Sequence, residues 1–313
     1  MALGLLPAAE VMRQHTIRKA VSLEGVGLHS GKTVRITLSP SPADSGIVFR
    51  VGERGEPIVA APESVVDSHY ATTIGRNGVR IQTIEHLMAA AAGLGIDNLD
   101  VRVDGAELPA ADGSAKPFVQ LMLAAGRAPQ SARQRAIRIP HPIGAGNGGR
   151  WIQIVPADTF RISYTLDNDH PAIGTQVLSW TPTEESFVTD YAPARTYGFL
   201  KDLGFLRKSG RALGGSLDNT IVIGKSATLN GLRYRDEFVR HKVLDLIGDL
   251  ALLGRRITGH VIARNAGHAL NFELVVAVQR ALGLERRAAV RSVVPVAPEP
   301  AEALVSAGGL ATT

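Results

Sequence analysis

His241, Asp245 and Asp249 stand four residues apart in the stretch FVRHKVLDLIGDL, residues 238–250. On an α-helix, positions at this spacing lie about 40° apart and share a face. An imidazole followed by two carboxylates can do one of two things there. The three can form a solvated line with an ordinary i,i+4 pair, or they can offer nitrogen and oxygen donors to a divalent metal. Phe238, Val239, Val243, Leu246, Ile247 and Leu250 form a stripe for burial on the same helix, which alone leaves both readings open.

A second imidazole occurs in TIEHLM, where Ile84, Leu87, Met88 and Ala91 define a core stripe and Glu85 and His86 project beside it. Adjacent Glu and His on a mostly apolar helix are costly to bury unless they are paired or bind a metal. His86, His241 and Asp245 together would give three ligands and leave the fourth tetrahedral position to water, the catalytic rather than the structural arrangement of zinc. The spacing is not HExxH, and HxxxD by itself is a weak signal. Glu85, next to a ligand, is within reach as the base for that water. His268 in RNAGHALN, a Gly-flanked turn before the helical pattern Leu270, Leu274, Val275 and Val278, is the candidate proton donor. Otherwise a lone loop histidine sits in solvent. His15, His29, His69, His141, His170 and His260 have no partner at ligand spacing, although His29 in GVGLHSG and His69 in DSHYATT occupy polar turns that suit the rim of a site.

Two similar sets of elements could position these residues. The segments 21–40 and 137–156 each read as a β-hairpin with a Gly-rich turn, a basic residue and apolar alternation: Val34, Ile36 and Leu38 in one, Ile152 and Ile154 in the other. Each is followed by another strand-like run, GIVFRV and FRISYTL, and later by a helix carrying one His, a Leu-Gly stop and a final strand, IDNLDVRV and ITGHVIA. This order predicts an α+β fold from an internal duplication, with His86 and His241 on corresponding helices of two facing domains and helices on one face of each sheet. The expected domains are 13–128 and 133–288. Between them the stretch GRAPQSARQR, residues 126–135, is polar, lacks periodicity and reads as a linker. The Pro- and Ala-rich tail, 293–313, is expected to be disordered.

Composition narrows the chemistry. The chain has 313 residues, 45% hydrophobic and 20% charged, as expected of a soluble two-domain protein. No apolar run approaches the roughly 18 residues of a membrane span. The N-terminal segment has no basic residue ahead of its apolar run, so no secretory signal is expected and the cytoplasm is the expected location. Without cysteine, disulfides and thiolate ligands are excluded, and a transition metal must be held by His, Asp or Glu. The net charge of +5 favours an anionic partner. Lys and Arg are spread along the chain without an RGG, RNP-like or finger pattern, which ranks nucleic acid last.

The motifs GVGLHSGKTV, TIEHLMAA, LPAADGSAKPF, ARTYGF, GGSLDNTIV, DEFVRHKVLDLIGDL and GHALN occur in that order between about residue 15 and 285. Together they resemble the UDP-3-O-acyl-N-acetylglucosamine deacetylase family of lipid A biosynthesis. The resemblance implies two β-α sandwich domains, each with an insert, and a Zn2+ site between them held by His86, His241 and Asp245. It implies Glu85 as base, His268 as acid or electrostatic partner, Thr196 as oxyanion donor, Lys242 as a contact to the nucleotide sugar, and Asp249 as the carboxylate orienting His268. The segment 181–215 matches the insert whose apolar passage holds the acyl chain and here contains Phe187, Phe199, Leu200, Phe205 and Leu206; Phe272 and Glu273, just after GHALN, are small departures. The implied substrate is an acylated UDP-sugar met in the cytosol, with transient contact to the inner membrane and no obligate protein partner. The competing expectations are a zinc peptidase and a non-catalytic nucleotide-sugar binding protein; the latter has no need of Glu85 beside His86.

Overall fold

The structure, a computed structural model, describes residues 12–284 and the short strand Leu304–Ser306. The first half runs β1 (Arg13–Ile17), β2 (Val21–Val26), β3 (Thr33–Pro40), β4 (Ile47–Val51), β5 (Ile58–Val59), β6 (Val65–Asp67), β7 (Thr73–Arg76) and β8 (Val79–Ile81). Helix α1 (Glu85–Gly93), β9 (Leu99–Val103) and α2 (Lys116–Ala125) complete it. Alternation decides the strands: in β3, Val34, Ile36 and Leu38 are buried while Thr33 and Arg35 face solvent. The main sheet has the order β2-β3-β9-β4-β5, antiparallel except for the parallel pair β4–β9, which the crossover through α1 makes possible. β6, β7 and β8 form a separate three-stranded sheet.

The second half begins with β10 (Arg127–Arg133), β11 (Ala136–Arg138), β12 (Ile143–Asn147), β13 (Arg150–Val155), β14 (Phe160–Asp167) and β15 (Thr175–Trp180). An irregular stretch follows with α3 (Glu184–Ser186), β16 (Tyr197–Phe199), α4 (Leu203–Lys208) and β17 (Ile221–Ile223), then α5 (Glu237–Leu250), β18 (Arg256–Arg264) and α6 (His268–Ala281). Its sheet has the order β12-β13-β18-β14-β15, again antiparallel except for one parallel pair, β14–β18. The last strand, β19 (Leu304–Ser306), pairs parallel with β2; the remainder of the tail expected to be disordered lies outside the described residues.

The architecture is mixed α and β, as expected. α2 packs on β2 and α1, α5 and α6 lie on the second sheet, and α1 lies against α5, so the helices meet in the middle and one hydrophobic core runs through both halves. Two local readings change. The second hairpin starts at Ile143, not Ile137, because 136–138 pairs parallel with β18 instead. The expected linker 126–135 is mostly strand β10, antiparallel to β1. Its backbone is satisfied by β1 while Ala128, Gln130 and Ala132 are only half-buried, so a polar sequence suffices.

Candidate active site

Helices α1 and α5 approach so closely that a Cβ on Gly248 would lie 2.1 Å from the Glu85 carbonyl oxygen. Only glycine permits this crossing, and it brings the first turn of α1 beside the last turn of α5. Thr83, two residues before α1, has φ +62°, a left-handed conformation that costs a β-branched residue about 1–3 kcal/mol. The turn it makes aims Glu85 and His86 inward, and both are buried. A carboxylate in a first turn is favoured by the helix dipole, and Glu85 Oε2 also accepts the Thr72 N–H at 3.0 Å.

His241, Asp245 and Asp249 are 2%, 2% and 1% exposed, which removes the solvated-face reading of the row. Asp245 Oδ1 lies 3.4 Å from His241 Nε2 and 3.6 Å from His86 Nε2, and the two imidazoles meet edge to face. Among the described residues these three form a group whose donor atoms all lie within 4.8 Å of one another. His241 Nδ1 is 3.0 Å from the Ala194 carbonyl. A carbonyl only accepts, so Nδ1 carries the proton and the Nε2 lone pair faces Asp245. Burial, aided by His86 and Lys242 and opposed by Asp245, pulls the His241 pKa down to about 3 and keeps its imidazole neutral, the form in which it could hold a metal. Buried Asp245 Oδ1 has no hydrogen-bond donor. Two imidazole nitrogens facing an unsatisfied carboxylate oxygen fit a divalent metal, whereas without one that oxygen would be a costly orphan.

Lys242 Nζ donates to Asp245 Oδ2 at 2.8 Å and lies 5.6 Å from the centre of the Tyr197 ring. Burial opposes charge on both partners. The Asp245 charge nevertheless raises the Lys242 pKa, while the neighbouring His241 and Lys242 hold Asp245 well below the usual carboxylate range.

On the other side of Glu85 stands His268, the first residue of α6. Its Nδ1 is 2.8 Å from Asp249 Oδ2, and its Nε2 is 3.8 Å from both Glu85 Oε1 and Asp245 Oδ2. Asp249 is fixed in turn by the Thr72 hydroxyl at 2.5 Å and the Asn271 amide at 2.8 Å. Burial disfavours the imidazolium, but Asp249, Asp245 and Glu85 outweigh it and raise the His268 pKa to about 10. Burial also raises Glu85, against the pull of His268 and His86. A protonated imidazole thus sits beside a carboxylate of raised proton affinity.

Thr196 stands two residues beyond Ala194, the residue whose carbonyl holds His241. Its N–H donates to the Gly113 carbonyl at 2.8 Å, and the loop before it supplies the Ala194 carbonyl that holds His241. A buried pair fixes that loop to the start of α5: Glu237 Oε1 accepts from Arg195 Nε at 2.9 Å and from the Arg195 N–H at 3.0 Å.

The structure therefore brings together Glu85, His86, His241, Lys242, Asp245, Asp249 and His268, with Thr196 at the edge. Sequence reading missed Thr72, Asn271, the Ala194 carbonyl and the Arg195–Glu237 pair. Of the rim histidines, His29 is buried, its backbone N–H on Glu107 and both ring nitrogens without partners, while His69 is exposed and paired with Asp67. The apolar residues of the insert divide. Phe187 is core, packed against Gly93, while Phe199 and Leu206 are half-buried and Leu200 and Phe205 are exposed.

A three-donor group for a divalent metal, flanked by a base and a charged imidazole, is the equipment of a metal-dependent hydrolase. The sequence model of the UDP-3-O-acyl N-acetylglycosamine deacetylases matches residues 14–280, and the chain belongs to that family. Among its relatives is the UDP-3-O-acyl-N-acetylglucosamine deacetylase of Oleidesulfovibrio alaskensis, 47% identical over 83% of this chain and 87% of the relative. The deacetylases of Acidithiobacillus ferrooxidans and Myxococcus xanthus are each 48% identical, covering 86% and 84% of this chain and 90% and 85% of their own length.

Proposed function

We propose that this protein is the UDP-3-O-acyl-N-acetylglucosamine deacetylase of lipid A biosynthesis, a zinc-dependent amide hydrolase releasing acetate and leaving a free amine. Family membership carries the reaction class. The observation that carries the chemistry is the buried, undonated Asp245 Oδ1 facing two imidazole nitrogens beside Glu85.

Zinc held by His86, His241 and Asp245 would supply Lewis acidity, polarising the acetamide carbonyl and acidifying a water. Glu85, its proton affinity raised by burial, takes the proton from the attacking water. The Thr196 hydroxyl donates to the carbonyl oxygen as negative charge develops there. His268, kept protonated mainly by Asp249, gives its Nε2 proton to the departing nitrogen. Lys242 contacts the nucleotide sugar, and the half-buried and exposed apolar residues of 199–206 meet the acyl chain.

We further infer that residues 13–128 and 133–288 are two β-α sandwich domains from a duplication, each with an insert and with the site between them. The matching orders β2-β3-β9-β4-β5 and β12-β13-β18-β14-β15, each with its third and fourth strands parallel, support this. No helix among the described residues is long and apolar enough to cross a membrane. As part of the same proposal, the protein meets the acylated UDP-sugar in the cytoplasm with transient contact to the inner membrane. The test is acetate release from the acylated UDP-sugar by zinc-loaded protein, with loss on chelation and recovery on zinc addition. Peptide turnover without acetate release would overturn the reading.

A further inference from the structure

Thr72 is buried in the loop between β6 and β7, and its carbonyl, N–H and hydroxyl each make a hydrogen bond that bears on the site. The carbonyl accepts the N–H of Ile84, the residue that caps α1, at 3.3 Å. The N–H donates to Glu85 Oε2 at 3.0 Å. The hydroxyl donates to Asp249 Oδ1 at 2.5 Å, crossing from the first half of the chain to α5 in the second.

Each bond has its own consequence. Through the carbonyl, Thr72 is tied to the start of α1 and keeps its place relative to Glu85. The N–H occupies Oε2 and leaves Oε1, which no hydrogen bond among the described residues reaches, as the free oxygen of the base. It is Oε1 that lies 3.8 Å from His268 Nε2. The hydroxyl completes the shell of Asp249, whose Oδ2 already meets His268 Nδ1 and the Asn271 amide at 2.8 Å each. The terminal torsion of an aspartate is broad, so donors on both oxygens are what stop the carboxylate from turning and taking the His268 ring with it. Among the described residues, Thr72 is the one donor to Asp249 that comes from the first half. The base stands on α1 and the protonated imidazole on α6, in different halves, and a misplacement of about 1 Å between reacting groups can cost about a hundredfold in rate.

We propose that Thr72 is a positioning residue that holds base and acid in one frame. Its N–H turns Glu85 so that Oε1 faces His268, and its hydroxyl fixes Asp249 and, through it, the imidazole. The proposal rests on the roles given above to Glu85 and His268, through which Thr72 acts; it hydrogen-bonds to none of the metal donors.

The test is steady-state acetate release from the acylated UDP-sugar by full-length, zinc-loaded Thr72→Val and Thr72→Ser. Valine keeps the β-branch and the backbone bonds but lacks the hydroxyl. Its kcat should fall about tenfold to a hundredfold, the usual contribution of a hydrogen bond to a charged group. KM should be little changed and zinc stoichiometric by elemental analysis. Serine keeps the hydroxyl and should recover most of the loss. Thr72→Val/His268→Ala should be scarcely slower than His268→Ala, because the hydroxyl acts through that ring. Wild-type turnover by Thr72→Val overturns the proposal. So does serine as slow as valine, which would assign the effect to packing, and so do losses that multiply in the double variant. Should Thr72→Val fail to fold, Thr72→Ala against Thr72→Ser decides in the same way. A wild type that releases no acetate would sink the reaction and this proposal with it, whereas acetate release by the wild type with any of those three results removes Thr72 alone.

Discussion

Asp249→Asn keeps the shape of a side chain but removes the charge that lies 2.8 Å from His268 Nδ1. The asparagine oxygen can still accept the Nδ1 proton, so ring orientation survives while the ionic part is lost. A hydrogen bond to a charged group contributes about 1.5–3 kcal/mol, so the His268 pKa should fall by about 1–2 units. Burial already works against the imidazolium; Asp249 is the largest of the carboxylates that raise it to about 10. A dication on the neighbouring donors repels the same proton, which sets the basic limb of the loaded enzyme below 10 without changing the sign of the shift. As His268 acts in its protonated form, activity is lost as pH rises through its pKa, and the substitution moves that limb downward. The same energy taken from the transition state lowers turnover by roughly tenfold to a hundredfold. Zinc content should be unchanged, and Asp249→Asn/His268→Ala should be scarcely slower than His268→Ala, because the two residues act as one unit. The charge is also a stability term. With a folded pKa above the ordinary value of about 6.5, its contribution is complete below that pH and lost as pH rises toward the folded pKa. In metal-free protein, Tm should therefore fall across this window less steeply for Asp249→Asn than for wild type. A pH–rate profile that stays in place, or losses that multiply in the double variant, would refute the reasoning.

His86→Ala and His241→Ala should each purify without stoichiometric metal by elemental analysis, since a three-donor group cannot spare one; full retention by either would remove it from the donor set. Glu85→Gln should keep the metal yet lose roughly 10²–10⁴ in turnover, the usual contribution of a positioned base, and near-wild-type acetate release would exclude Glu85 from the mechanism. Gly248→Ala places a methyl group against the Glu85 carbonyl; it should cost about 1–3 kcal/mol by denaturant unfolding and lower metal affinity, because α1 must move away from α5. Glu237→Ala strands Arg195, 9% exposed at its side chain, and should destabilise by about 3–5 kcal/mol, a prediction that an unchanged unfolding midpoint would defeat.

Much of this arrangement is legible because it is periodic. The row on α5 is visible at a spacing of four, and the strands of both main sheets show alternation that a core demands. The roles proposed for Thr196 and Lys242 were accessible only through the motifs shared with the family, since nothing about either residue taken alone sets it apart. Thr72 and Asn271 could not be read at all. Thr72 reaches Asp249 across 177 positions of chain, and its type is ordinary in a polar loop. The Ala194 carbonyl is a backbone group, so the side chain that names the residue says nothing of its part in fixing the His241 tautomer. For β10 the difficulty is the opposite one: a strand whose partner satisfies its backbone and whose faces are both partly wet needs no apolar pattern, so Arg127–Arg133 looks like a linker until β1 is placed beside it.

The charges of the buried cluster explain why so many ionisable groups can share one small volume. Glu85, Asp245 and Asp249 bring three carboxylates, while Lys242 and the protonated His268 return two positive charges. With both donor imidazoles neutral, as ligation requires, one negative charge remains uncompensated in a place where an unpaired ion is expensive. A divalent cation reverses that sign and leaves a single positive charge, which is what an acetamide oxygen gaining negative charge would meet. Neither half supplies this balance alone. Glu85 arrives on α1, whereas Lys242, Asp245, Asp249 and His268 arrive on α5 and α6. The contact at Gly248 that lets the two helices cross is therefore as much a part of the electrostatics as of the packing.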